Sequence, residues 1–244
     1  MSTKQLYDNV SPLSKEKHGS WSVEVGGDFA HVKGMNVLPV LAAEFVTAYK
    51  EYPIVFSKNE TTIQPVALLG IRDGENLYVD DENRWTASYL PAFLRRYPFV
   101  FARSEDGKTF TLCIDENFTG FNQDGKGERL FTDDAQPTPY VNNVLQFLQN
   151  FQNEHARSQA FCRKLDEFDL LESHNAVWTG PDGQKAALTG FFCTKREKLN
   201  NLPPKVVAGM MKSGEMDLIF AHLFSLGNFH ALKEKLARLA AAGQ

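Results

Sequence analysis

Cysteine is scarce and scattered in this chain. Cys113, Cys162 and Cys193 are the only thiols among 244 residues, and no Cys-x-x-Cys pair occurs. That excludes a local zinc knuckle or dithiol redox motif and predicts buried cytosolic thiols, with no metal site. Long apolar runs are also lacking. Residues 37–43 and 218–226 fall far short of the roughly 20 residues that a membrane-spanning helix needs. The opening residues 1–8 hold no apolar segment ahead of a small-residue cleavage site, so no secretory signal is read there and a cytoplasmic location is expected. Positive charge is not in excess either. With a net charge of −4 and its Lys and Arg dispersed, the chain offers no field for nucleic acid, and none is expected as a partner. The local catalytic signatures are missing: there is no Gly-x-Gly-x-x-Gly, phosphate-binding Gly-Lys-Ser/Thr loop, Gly-x-Ser-x-Gly or His-Glu-x-x-His. No cofactor is expected.

What is present is a globular composition, 43% hydrophobic and 23% charged, with 19 phenylalanines to build an aromatic core. Residues 1–20 are polar and read as an irregular arm. Residues 21–244 read as a single domain, strand-rich over 21–135 and helix-rich over 140–244.

Alternation and turn residues predict strands at 22–25, 31–35, 54–56, 65–70 and 77–79. Apolar residues at 38, 41, 42, 45, 46 and 49 predict a helix over 38–50, stopped by Pro53. A second short helix over 89–96 stops at Pro98. Residues 99–101 and 110–114 then read as a hairpin across Asp106-Gly107. The two segments share one layout, in which a helix ends at a Tyr-Pro step and gives way to a strand, a turn and another strand. Duplication and convergence both account for it. The Gly- and Asp-rich stretch 117–136 reads as a solvated loop without the ligand pattern of an EF-hand.

From Tyr140 onward, Val144, Phe147, Leu148, Phe151, Phe161, Leu165 and Phe168 recur at helical spacing, as one long helix or two. Another hairpin is expected around Gly180-Pro181-Asp182-Gly183, followed by helices at 199–211 and 215–226. A last amphipathic helix carries Phe229, Leu232, Leu236 and Leu239. The fold class is therefore α+β, with antiparallel strands and hairpins mostly in the N-terminal half and helices mostly in the C-terminal half.

Arg95 and Arg96 stand among Trp85, Tyr89 and Tyr97. Such a block can hold a carboxylate or phosphate, or stack on a ring; alternatively the arginines anchor core ion pairs to Asp80, Asp115 or Glu116. Asp115 and Glu116, at a strand end, are acid–base candidates, although neighbours on a strand point to opposite faces. His222 is a third, three residues from Ser225 on one helical face, with a core histidine as the alternative.

The arginine block and its surroundings resemble the SapC family, bacterial proteins named after a surface-layer gene locus. The resemblance is carried by Tyr52-Pro53-Ile54-Val55-Phe56, Ala67-Leu68-Leu69-Gly70 and Asn76-Leu77-Tyr78-Val79-Asp80 with Trp85. It continues through Tyr89-Leu90-Pro91-Ala92, Arg95-Arg96-Tyr97-Pro98-Phe99, Cys113-Ile114-Asp115-Glu116, Leu130-Phe131, Gly190-Phe191 and Ala221-His222-Leu223 with Ser225-Leu226. It runs over roughly residues 15–235. Asn83 stands where a turn glycine is usual, and asparagine tolerates the left-handed conformation.

The resemblance implies a link to surface-layer systems. The resulting expectation is a cytoplasmic accessory or binding protein of a surface-protein or peptide-modification system. It would recognise a polypeptide or small anionic ligand through Trp85, Tyr89, Arg95, Arg96 and Tyr97. The alternatives are an enzyme acting on a peptide or small anionic substrate, and a structural surface-layer component.

Overall fold

The computed structural model describes residues 6–104, 109–179 and 185–242. The chain opens with β1 (Val10–Pro12), α1 (Lys15–His18), β2 (Ser22–Val23) and β3 (Val37–Pro39), followed by α2 (Phe45–Ala48), β4 (Ile54–Lys58) and β5 (Ile63–Leu68). Next come α3 (Ala92–Arg95), β6 (Phe99–Arg103), β7 (Phe110–Asp115), β8 (Phe121–Asn122) and β9 (Glu128–Arg129). The remainder is α4 (Pro139–Glu167), β10 (Leu171–Thr179), β11 (Lys185–Thr194), α5 (Arg196–Asn200), α6 (Pro204–Ser213), α7 (Glu215–Ser225) and α8 (Phe229–Ala242). The architecture is α+β, with sheets mostly in the N-terminal half and helices mostly in the C-terminal half.

All strand pairing is antiparallel. The largest sheet has the order β10-β11-β4-β5-β3, and two three-stranded sheets have the orders β1-β7-β6 and β8-β2-β9. The five-stranded sheet, with α4 and α7 against it, holds the main core around Phe45, Tyr52, Phe56, Phe161 and Leu165. A second core joins Val23, Phe99, Ile114 and Leu130 to Val141 and Leu148.

One helix serves both cores. α4 spans about 43 Å at 1.5 Å per residue. Val141 and Leu148 face the second core, while Phe161, Cys162 and Leu165 face the first. Between them Phe151 packs with Leu41 and Ala92 in a small cluster of its own. Pro139 at the first turn and the Thr138 hydroxyl, which accepts from Val141 N at 3.4 Å, start the helix. All three cysteines are buried and unbridged.

Both Tyr-Pro steps act as the sequence predicts: α2 leads through Tyr52-Pro53 into β4, and α3 leads through Tyr97-Pro98 into β6. Each strand then pairs with its successor. Asn83 does adopt a left-handed conformation, with φ at 62°.

Several local expectations give way to long-range pairing. The helix expected over 38–50 is a strand, a 3-10 turn (Ala42–Glu44) and the short α2, because Val37 and Leu38 bury themselves by pairing with Leu68 and Ala67. Pro39 is accommodated because β3 is an edge strand. The strand expected at 31–35 is replaced by a 3-10 turn, Ala30–Val32. Residues 77–79 contribute only an isolated bridge, Val79 to Trp85.

The stretch 117–136 is not all loop, since β8 and β9 in it flank β2. Helix 199–211 divides into α5 and α6 at Pro203-Pro204. The arm over 1–20, where described, contributes β1 and α1, and Val10 pairs with Asp115. The tips of the two later hairpins, at 105–108 and 180–184, lie outside the described residues.

Candidate functional site

α3 is a single turn ending in Arg95, and the chain turns at Tyr97 into β6, so three consecutive side chains fan out over the junction between the cores. The N-terminus of α3 is held by Glu44, a buried carboxylate that the sequence reading did not single out. Its Oε1 accepts from Ala92 N at 2.7 Å and from the Tyr89 hydroxyl at 2.7 Å, and its Oε2 accepts from Leu41 N at 2.8 Å. Tyr89 is thereby fixed, and burial together with Glu44 raises its pKa. Its ring lies 6.0 Å from the Arg95 guanidinium carbon, and Phe147 of α4 lies 5.4 Å from the same atom.

Arg96 is set more deeply. Its guanidinium carbon is 4.4 Å from the ring centroid of Phe93, 4.8 Å from that of Phe151 and 5.4 Å from that of Tyr7. Nε is buried with no hydrogen-bond partner. Burial lowers its pKa. Each ring contact contributes about 0.5–2 kcal/mol, against several kcal/mol for taking an unpaired charge out of water. The rings offset the burial without neutralising the charge.

The expectation of core ion pairs for these arginines is therefore corrected. Among the described residues neither arginine has a carboxylate within salt-bridge distance, because the proposed partners are engaged elsewhere. Asp80 pairs with Arg84 at 2.9 Å. The Asp115 carboxylate accepts from Asp8 N at 2.9 Å and Asn9 N at 3.0 Å. Glu116 binds Lys17 Nζ at 2.5 Å, the Ser11 hydroxyl and His18 Nε2 at 3.2 Å. His18 Nδ1 accepts from Ser14 N, so Nε2 carries the proton that it donates to Glu116. The lysine and serine contacts hold the Glu116 pKa down at about 2. The two adjacent carboxylates diverge, as expected at a strand end, and both fasten the N-terminal segment to the end of β7.

His222 is equally committed. It is fully buried: Nδ1 donates to Ile54 O at 2.7 Å, and Nε2 accepts from Thr194 N at 3.0 Å. Burial lowers its pKa to about 4. Ser225 donates to the His222 carbonyl at 2.5 Å and accepts from Ile54 N at 2.9 Å, and makes no side-chain bond to the imidazole. The structure does not bring His222, Asp115 and Glu116 together with the arginines in one cavity.

Three depressions border the arginine block. One of about 170 Å³ lies between the β3–β5 edge and α4, with Phe93, Arg96, Phe151, His155 and Gln152 in its walls. A second, of about 310 Å³, is bordered by Arg95, Arg96, Tyr97, Tyr140 and Phe147. The third, of about 190 Å³, lies beside Arg95, Tyr97, His31 and Phe118. There the Tyr97 ring stacks on His31 at 4.4 Å, and its hydroxyl reaches Asp115 at 3.4 Å.

Trp85 is not among the residues lining these three. Its Nε1 donates to Tyr89 O at 3.2 Å and its ring stacks on Tyr78 at 6.0 Å, so it supports Tyr89 from behind. Tyr7, Phe93, Phe147, Phe151 and His155 were missed as site residues. Phe147 and Phe151 were legible only as part of an apolar helical stripe.

Among the described residues, no cluster of three or more His, Cys, Asp or Glu side chains could hold a metal ion, and no helix is long and apolar enough to cross a membrane. The SapC family model matches residues 13–232, and the chain belongs to that family. No curated protein matches it. No solved structure does so either.

Proposed function

With membership of the SapC family as the premise, we propose that this chain is a binding or accessory protein that recognises a polypeptide or small anionic ligand at the Arg95–Arg96 block. Arg95, Arg96 and Tyr97 supply the contacts, and Tyr89 and Trp85 position them. In this reading the protein works in the cytoplasm, in support of a surface-protein, surface-layer or peptide-modification system.

The observation that carries the reading is the pair of guanidinium groups held against aromatic rings, with no carboxylate partner among the described residues. Arginine with tyrosine and other aromatic side chains is the composition in which binding energy concentrates. A planar guanidinium also matches a carboxylate in a two-point contact. The enzyme alternative draws no support from Asp115, Glu116 or His222, each of which is occupied in fastening the fold.

The test is capture of a partner from lysate by the immobilised protein and by Arg95→Ala, with circular dichroism as the fold control. Arg95 is exposed, so the variant is expected to fold as wild type and to lose capture at least tenfold. Undiminished capture by a folded Arg95→Ala would remove the arginine block from recognition. Recovery of the protein only with the cell envelope would favour the structural surface-layer alternative instead.

A further inference from the structure

The depression of about 170 Å³ under Arg96 has a charge arrangement that points to one class of ligand. Among the described residues, Arg96 is the only charged side chain in its walls, and no carboxylate lines it. The polar groups beside the arginine are neutral: the Gln64, Gln152 and Gln159 amides, the His155 imidazole and the Ser158 hydroxyl. Ser158 is already satisfied, since it donates to Glu154 O and accepts from Ala42 N, both at 2.7 Å. The rest of the wall is apolar, including Leu41, Phe93 and Phe151. The guanidinium lies against two of those rings with its Nε unpaired.

We propose that this cavity binds the carboxylate of a small ligand, either a short-chain acid or the C-terminus of a peptide, with the carboxylate on Arg96 and the apolar part against Phe93 and Phe151. One full positive charge with neutral amide donors balances a monoanion. A phosphate dianion would be left half-compensated, and no glycine-rich turn of backbone N–H groups lines the cavity to make up the difference. The volume suits a terminal group, not a whole polypeptide. His155 stacks parallel on Phe151 at 6.5 Å, and desolvation, with a smaller contribution from the Arg96 charge, holds its pKa down; the ring is close enough to report charge arriving at the guanidinium. This inference rests on the binding role proposed above and narrows it to one arginine and one functional group.

The experiment titrates the full-length protein with sodium butyrate, a free-acid tripeptide ending in leucine, the same tripeptide amidated, and inorganic phosphate. His155 ring resonances and calorimetry provide the readouts. Binding of butyrate alone, of the free-acid peptide alone or of both supports the proposal and identifies the source of the carboxylate. The amidated peptide is expected to bind at least tenfold more weakly than the free acid. Arg96→Met keeps the bulk of the side chain while removing the charge, and is expected to fold as wild type and abolish the titration.

Equal binding of acid and amide, tighter binding of phosphate, no binding of any probe, or undiminished binding by Arg96→Met would each overturn the proposal. A partner captured through Arg95 with no dependence on a free carboxylate would overturn this inference while leaving the broader binding role standing.

Discussion

The guanidinium carbon of Arg96 lies 4.4 Å from the ring centroid of Phe93, and the same side chain keeps a buried Nε without an acceptor. A part-buried arginine is commonly compensated by a carboxylate beside it. Here the rings of Phe93, Phe151 and Tyr7 take that place.

This arrangement predicts a separation of volume from charge. Arg96→Ala leaves a gap among three rings and is expected to cost about 2–3 kcal/mol in chemical denaturation. Arg96→Met fills the gap and removes a desolvated charge, so its stability is expected within about 1 kcal/mol of wild type. Equal destabilisation by both substitutions would mean that the charge itself holds the fold together.

Glu116 predicts an acid-sensitive N-terminal segment. Its folded pKa is depressed from 4.5 to about 2, so its stabilisation is present above 4.5 and lost as pH falls from 4.5 toward 2. Denaturation midpoints of wild type and Glu116→Gln should differ at pH 7 and converge across that window. A gap that persists at pH 2 would show that Glu116 acts through packing and not through its charge on Lys17 and Ser11.

His222 predicts a second pH dependence in a higher window. Its folded pKa is lowered from 6.5 to about 4, so the unfolded chain takes up a proton there first, and stability falls as pH drops from 6.5 to 4. The contribution over that range is on the order of 3 kcal/mol. His222→Asn is expected to be less stable than wild type at pH 7, since it disturbs the bonds to Ile54 and Thr194, and to have a flatter profile between pH 6.5 and 4. An unchanged slope in the variant would assign the pH dependence to other histidines, of which His31 and His155 also have lowered pKa values.

The candidate site was legible in part. Arg95, Arg96 and Tyr97 stood out because a compact run of arginine, tyrosine and proline is visible in a few consecutive letters. Glu44 gave no such signal. It lies in a stretch whose periodicity suggested a plain helix, and its importance comes from Tyr89 and Ala92, 45 and 48 residues away. Trp85 reads as a contact residue from its type, and only the fold shows its indole donating to the Tyr89 carbonyl.

By itself the sequence determined the α+β composition, the helix-to-strand change at each Tyr-Pro step, the helical character of the stretch from Tyr140 and the family; that this stretch is one continuous helix came from the structure. All of these depend on side chains within a few positions of one another, through proline sterics and apolar periodicity. Only the tertiary structure decided which charges meet. Asp115 is bound to Asp8 across 107 positions and His222 to Ile54 across 168. Those pairings withdraw the carboxylates and the histidine from the arginines. They leave Arg96 between aromatic rings, because a charged side chain takes its partners from whatever the whole fold brings near it.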